Sequence, residues 1–98
     1  MARKIVKTGL PDSPTISSLA DLGAFVRSRR TTQGLRIDDA AGLCDVSVQL
    51  LSDLENGIGS VGFPKALGVV GQFGITLLAV TPEQLPFALR AIRDYEAA

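Results

Sequence analysis

Apolar residues recur along this chain at helical spacing, in segments separated by turns that carry glycine or proline. Leu19, Leu22, Phe25 and Val26 predict a first helix from about Leu19 to Arg30. Ser18 with Asp21 three residues later resembles a capping box, with Asp where Glu or Gln is usual. Arg27, Arg29 and Arg30 crowd its last turn, where cations suit the helix dipole. Thr31-Thr32-Gln33-Gly34 forms the exit. A second helix is predicted from about Ile37 to Cys44. Asp38 and Asp39 match the dipole at its start, and the small Ala40 and Ala41 let another helix approach closely. Asp45-Val46-Ser47 leads to a third segment, in which Ser47 can cap the start and Gly57 can take the left-handed turn at the end. Leu51 and Leu54 share one face, with Val46 just before the cap. Ser47, Val48, Gln49, Ser52 and Asp53 share the other, which is polar and slim. Alone, this segment also reads as an ordinary surface helix. With its neighbours it completes a helix-turn-helix, two short helices joined by about three residues.

Past Gly57, Ile58-Gly59-Ser60-Val61-Gly62 reads as a loop. Phe63, Leu67, Val69, Val70 and Phe73 predict a fourth helix, with Pro64 in its first turn and Gly74 at its close. Gly68 and Gly71 inside it each cost roughly 1 kcal/mol relative to alanine, which predicts tight packing at both. Ile75-Thr76-Leu77-Leu78-Ala79-Val80 reads as a strand between Gly74 and Pro82, with a continuation of the fourth helix as the alternative. A lone strand has nothing to pair with in its own chain. The expectation is pairing of Ile75, Thr76, Leu77, Leu78, Ala79 and Val80 with the same residues of a second copy across a two-fold axis. Leu85, Ala88, Leu89, Ile92 and Tyr95 predict a final helix. Pro86 disfavours a continuous helix from 82, so a turn and then a helix from about Pro86 is expected. Residues 1–16 carry Gly9, Pro11 and Pro14 without helical period and read as a flexible arm. Lys4-Ile5-Val6-Lys7 within it reads alternatively as a lysine-guarded edge strand or a basic arm along DNA. The expected organisation is therefore an arm at 1–16, a helical domain at 17–74, a dimerisation strand at 75–81 and a helical tail at 82–98. The fold class is mostly α, with four to five helices and a C-terminal β-strand pairing across a homodimer.

Composition refines this picture in two ways. The 98 residues allow one domain, and their net charge is zero. The charge is nevertheless split. Residues 1–36 hold seven basic residues against Asp12 and Asp21, a balance of +5, and residues 37–98 hold three basic against eight acidic, a balance of −5. Such a chain can offer one basic face despite its neutrality, or an acidic surface to a basic partner. One cysteine and no histidine exclude an intrachain disulfide, zinc sites built on Cys and His, and catalytic triads that need histidine. The usage fits a reducing cytoplasm, and no apolar run approaches the ~18 residues of a membrane span. Met1-Ala2-Arg3-Lys4 is not followed by a long apolar segment, so no secretory signal is expected. Asp38, Asp39, Asp53 and Glu55 lack a matched general acid or a metal-ligand pattern, so neither enzyme activity nor a metal or cofactor is expected.

The run Leu51-Ser52-Asp53-Leu54-Glu55-Asn56-Gly57, preceded by Gly34-Leu35 and Ala40-Ala41, resembles Xre-type, lambda-repressor-like helix-turn-helix domains. The continuation through Leu67 and Gly74-Ile75 to a short strand resembles the HipB-like branch, the DNA-binding antitoxins of type II toxin–antitoxin pairs. The resemblance covers about residues 18–80. It implies that Arg30 pairs with Glu55 and so holds the first helix to the third, a structural and partly buried contact. It implies base reading in the major groove by Ser47, Val48, Gln49, Ser52 and Asp53. Gln49 leads this set, because its amide can both donate to and accept from the major-groove edge of adenine. Val48 suits a thymine methyl, and Asp53 can only accept from cytosine or exclude wrong sequences. Phosphate contacts are expected from Arg27, Arg36, Asn56, Gly57 and Lys65.

The departures from the family matter. Arg36-Ile37 stands where the family often has Thr-Gln, and Ile37 cannot replace the phosphate-binding glutamine. Val48, Ile58 and Gly62 stand where HipB-like chains often carry basic residues. Fewer phosphate contacts mean weaker binding and a shallower salt dependence. The implied partners are a palindromic DNA operator with half-sites about one helical turn apart, a second copy of the chain, and a HipA-like toxin kinase. The competing expectations are a stand-alone Xre-family repressor and a helix-turn-helix-derived protein–protein module with weak DNA binding.

Overall fold

The computed structural model describes residues 4–97. Five helices follow one another: α1 (Leu19–Thr32), α2 (Ile37–Cys44), α3 (Val48–Asn56), α4 (Phe63–Gln72) and α5 (Leu85–Ala97). The start of α1 is held by its caps. Ser18 Oγ accepts from the Asp21 N–H at 3.2 Å, and Asp21 Oδ2 accepts from the Ser17 N–H at 2.8 Å. The helix runs two residues beyond the predicted end, because the buried Thr31 returns its hydroxyl to Arg27 O at 2.9 Å instead of leaving for solvent.

Between α2 and α3 the chain reverses at Asp45, which adopts the left-handed region with φ +55°. Its short side chain tolerates a conformation that most residues avoid. The N–H groups of Asp45 and Val46 return to Gly42 O and Ala41 O, so the end of α2 is satisfied. Ser47 then caps α3 by accepting from the Leu50 N–H at 3.0 Å.

The core is small and lies among α1 to α4. Leu22 and Val26 of α1, Ala40 and Ala41 of α2, Leu51 and Leu54 of α3, and Ala66, Val69 and Val70 of α4 meet in it, closed by Phe73. Two glycines bring α3 onto α1. A Cβ on Gly23 would lie 1.9 Å from Leu54 O, and one on Gly57 would lie 2.6 Å from Ala20 Cβ. Gly57 also ends α3 with φ +65°. The two helices thus touch backbone to backbone at both ends of the contact.

Three expectations need correction. Gly68 and Gly71 are not packed: both are exposed, with open space where a Cβ would stand. The reason is helical phase, since Ala66, Val69 and Val70 take the inward face of α4 and turn both glycines outward. The C-terminal strand is not formed either. Among the described residues there is no strand, and residues 75–80 run without regular structure. Gly74, at φ +72°, breaks the chain away from α4, so the helical continuation is not adopted. The Ile75 N–H then returns to Val70 O, while the N–H groups of residues 76–80 find no backbone acceptor among the described residues. A strand needs a ladder partner, and this single chain offers none. Residues 4–7 likewise form no edge strand, and Arg3 and the start of the arm lie outside the described residues.

The last helix forms one residue earlier than expected, at Leu85. Thr81 and Gln84 cap the preceding turn reciprocally: the Thr81 N–H donates to Gln84 Oε1 at 3.0 Å, and the Gln84 N–H donates to Thr81 Oγ1 at 3.2 Å. No residue of α5 is buried. The radius of gyration is 14.4 Å, where a compact chain of this length has about 13 Å, in keeping with a helix that stands off the core. No helix of the described residues is long and apolar enough to cross a membrane.

Candidate nucleic-acid interface

The amphipathic pattern of α3 decides what it can offer. Leu51 and Leu54 are fully buried against α1 and α2 and fix the rotation of the helix. That rotation turns Ser47, Val48 and Gln49 to solvent and leaves Ser52 and Asp53 partly exposed. The five expected base-reading residues therefore share one outward face. They are not equally free. Ser47 Oγ is occupied by the cap, and Ser52 receives Asn56 Nδ2 at its carbonyl (2.8 Å). Gln49 Nε2 donates to Asp53 Oδ1 at 2.8 Å. Val48 is 45% exposed.

Behind this face sits the ion pair that holds α3 in place. Arg30 grips Glu55 with two parallel bonds, Nε to Oε2 at 2.6 Å and Nη2 to Oε1 at 2.9 Å. Its Nη1 donates to Leu35 O at 2.9 Å. The expected pair is in fact a triad. Arg27 Nε reaches Glu55 Oε1 at 3.3 Å and its Nη2 donates to Asn56 Oδ1 at 2.7 Å. The Glu55 side chain is 1% exposed, so its carboxylate is desolvated and depends on both guanidiniums. No buried side-chain polar atom among the described residues lacks a partner. Two arginines on one carboxylate leave one positive charge in excess at this corner.

Helix-turn-helix domains match residues 21–71, about half of the chain. The chain belongs to the helix-turn-helix domain family. It is also 36% identical, over 67 residues, to an uncharacterized HTH-type transcriptional regulator, y4mF, of Sinorhizobium fredii (strain NBRC 101917 / NGR234). That alignment covers 68% of this chain and 88% of the relative.

In this helix-turn-helix domain the expected phosphate-contacting residues divide into two groups. Arg27, Asn56 and Gly57 are engaged within the chain: Arg27 and Asn56 with each other, and the Gly57 N–H with Leu54 O at 3.2 Å. Arg36 and Lys65 are exposed. Arg36 has only a loose contact with Asp38 at 3.5 Å, of a kind worth little in water. The fold adds a cation that the motif does not contain. Lys4 of the arm joins Arg27, Arg30 and Arg36 around a cleft of about 630 Å³ beside Glu55 and Asn56. The arm is held there by the Thr8 N–H, which donates to Thr31 Oγ1 at 2.9 Å.

Arg29 also has a role that its helix position does not announce. Its Nε donates to Phe73 O at 3.1 Å and ties α1 to the end of α4. The dipole-matching position was legible, but a partner 44 residues away was not. Cys44 is partly buried, and that burial pushes its thiol above the ordinary range.

Proposed function

We propose that this protein is a DNA-binding transcriptional regulator that reads sequence through the outer face of α3. One observation carries this reading. The helix is locked from behind by Leu51, Leu54 and the Arg30–Glu55–Arg27 triad, while Val48 and Gln49 are exposed on its front, Gln49 with its amide nitrogen on Asp53. A rigid helix with short side chains at its N-terminal end is what a major groove about 12 Å wide admits. Lys4 and Arg36 lie on the same corner as the end of α3 and would meet the phosphates, with Lys65 at the start of α4. The likeness to an HTH-type transcriptional regulator supports the reading.

The finer reading is a repressor of the HipB-like antitoxin branch that acts as a homodimer and binds a HipA-like kinase toxin. Its support is the Leu-Glu-Asn-Gly motif at 54–57 together with the mostly apolar residues 75–80, whose N–H groups beyond Ile75 have no backbone acceptor among the described residues and would be satisfied by the same segment of a second copy. A second reading, a protein–protein module with weak DNA binding, is favoured by the internal engagement of Arg27, Asn56 and Gly57. Binding to the DNA upstream of the gene, over a salt series and alongside Gln49→Ala, separates these readings. A sequence-reading regulator binds that site with a steep salt dependence and loses the preference over random DNA in the Gln49→Ala variant. Absence of binding at low salt would leave the interaction module, to be pursued by co-purification of a partner.

A further inference from the structure

Gln49 and Asp53 lie one turn apart on the outer face of α3, and the Gln49 Nε2 donates to Asp53 Oδ1 at 2.8 Å. An ionised carboxylate can only accept a hydrogen bond. It therefore decides which end of the amide faces it: the nitrogen turns toward Asp53 and Oε1 turns away. Asp53 takes no part in the ion pairs of the described residues. A lone negative charge on a face that enters a groove opposes every phosphate nearby, so its placement beside Gln49 calls for a use.

We propose that Asp53 is a positioning residue that orients the Gln49 amide for adenine and against guanine. This rests on α3 being the base-reading helix. The amide nitrogen has two protons, and Asp53 takes one. The second proton and Oε1 remain, an adjacent donor and acceptor. Adenine offers the complement, an acceptor at N7 and a donor at N6. Guanine offers two acceptors, N7 and O6, and needs two donors. An amide free to rotate can turn its –NH₂ end toward guanine, whereas one whose nitrogen is held by Asp53 cannot do so without breaking that bond. The negative charge works in the same direction where the two bases differ, because it favours the N6 amino donor of adenine over the O6 acceptor of guanine, while N7 is common to both.

The test is selection from a pool of random-sequence DNA duplexes by the full chain and by Gln49→Ala, Asp53→Ala and Asp53→Asn. Asp53 is partly exposed and outside the core, and thermal melts verify that each variant folds. The position whose preference disappears in Gln49→Ala identifies the base that Gln49 reads. The expected base is adenine. In Asp53→Ala the adenine-over-guanine ratio at that position falls by about tenfold, within the range that one bidentate pair supplies, while other positions keep theirs. Asp53→Asn keeps an acceptor oxygen, so it retains most of the ratio while binding all sequences more tightly. An unchanged ratio in Asp53→Ala overturns the proposal, and so does a loss in Asp53→Asn as large as in Asp53→Ala. If the unmodified chain selects no sequence at all, the base-reading function itself fails. That outcome is distinct from one in which the preference exists but does not depend on Asp53.

Discussion

Helices α3 and α5 are built from the same kind of pattern and end in different environments. Each carries an apolar stripe at helical spacing, and each follows a hydroxyl that accepts a backbone N–H at its start, Ser47 before α3 and Thr81 in the turn before α5. Yet Leu51 and Leu54 of α3 are fully buried, whereas α5 buries no residue and leaves Phe87 72% and Tyr95 82% exposed. The difference is the partner surface. α3 meets the glycine-notched side of α1, where Gly23 and Ala20 let the backbones touch, and it adds a desolvated ion triad across the seam. α5 follows an irregular segment whose own apolar residues, Leu77, Leu78 and Val80, are also exposed. Amphipathic periodicity is enough to specify a helix, but burial also needs a complementary face within reach.

If this contrast is right, stability resides at the α1–α3 seam and not in the tail. The largest loss is expected from Glu55→Ala, which strands two guanidiniums beside a buried space. Urea unfolding should show a loss of about 3–5 kcal/mol, the range for breaking one side of a buried pair. Gly23→Ala comes next. Its methyl would press on Leu54 O and force α1 off α3, at a cost of about 2–3 kcal/mol by the same measurement. A value near zero would mean that the seam is slack. Arg29→Ala removes a charged donor from Phe73 O and is expected to cost about 1.5 kcal/mol, which tests whether α4 is tied to α1 from that side. The smallest effect is expected in the tail. Ile92→Ser in α5 should shift stability by less than about 0.5 kcal/mol in dilute protein, as surface substitutions do. A larger loss that grows with protein concentration would instead show that a second copy covers α5.

Much of the helical domain was legible from local chemistry. The bounds of α2 follow from the placement of its acidic first turn, and those of α3 from Ser47 and Gly57. Pro64 marks the start of α4 in the same way. The Arg30–Glu55 pair came from resemblance to a family motif and is present in the structure, but the second guanidinium was not anticipated. Arg27 lies on the same side of α1 as Arg30, one turn before it, and only the approach of α3 decides that both reach one carboxylate. Periodicity identified the residues of α4 without giving the direction of its face, so Gly68 and Gly71 were expected inside and stand outside. The β-rich composition of 75–80 suggested a strand, but strand formation is a property of a pair of segments.

By itself, the amino-acid sequence determined where α2 and α3 begin and end, which residues form the outward face of α3, and that a helix-turn-helix lies at the centre of the chain. These depend on spacing, capping and turn residues that act within a few positions of one another. The tertiary structure alone decided that Glu55 holds two arginines, that Arg29 reaches Phe73, and that Lys4 joins the cations at the end of α3. Each of these is a meeting of groups far apart in the chain, set by how closely two helices can approach and by where their ends then point.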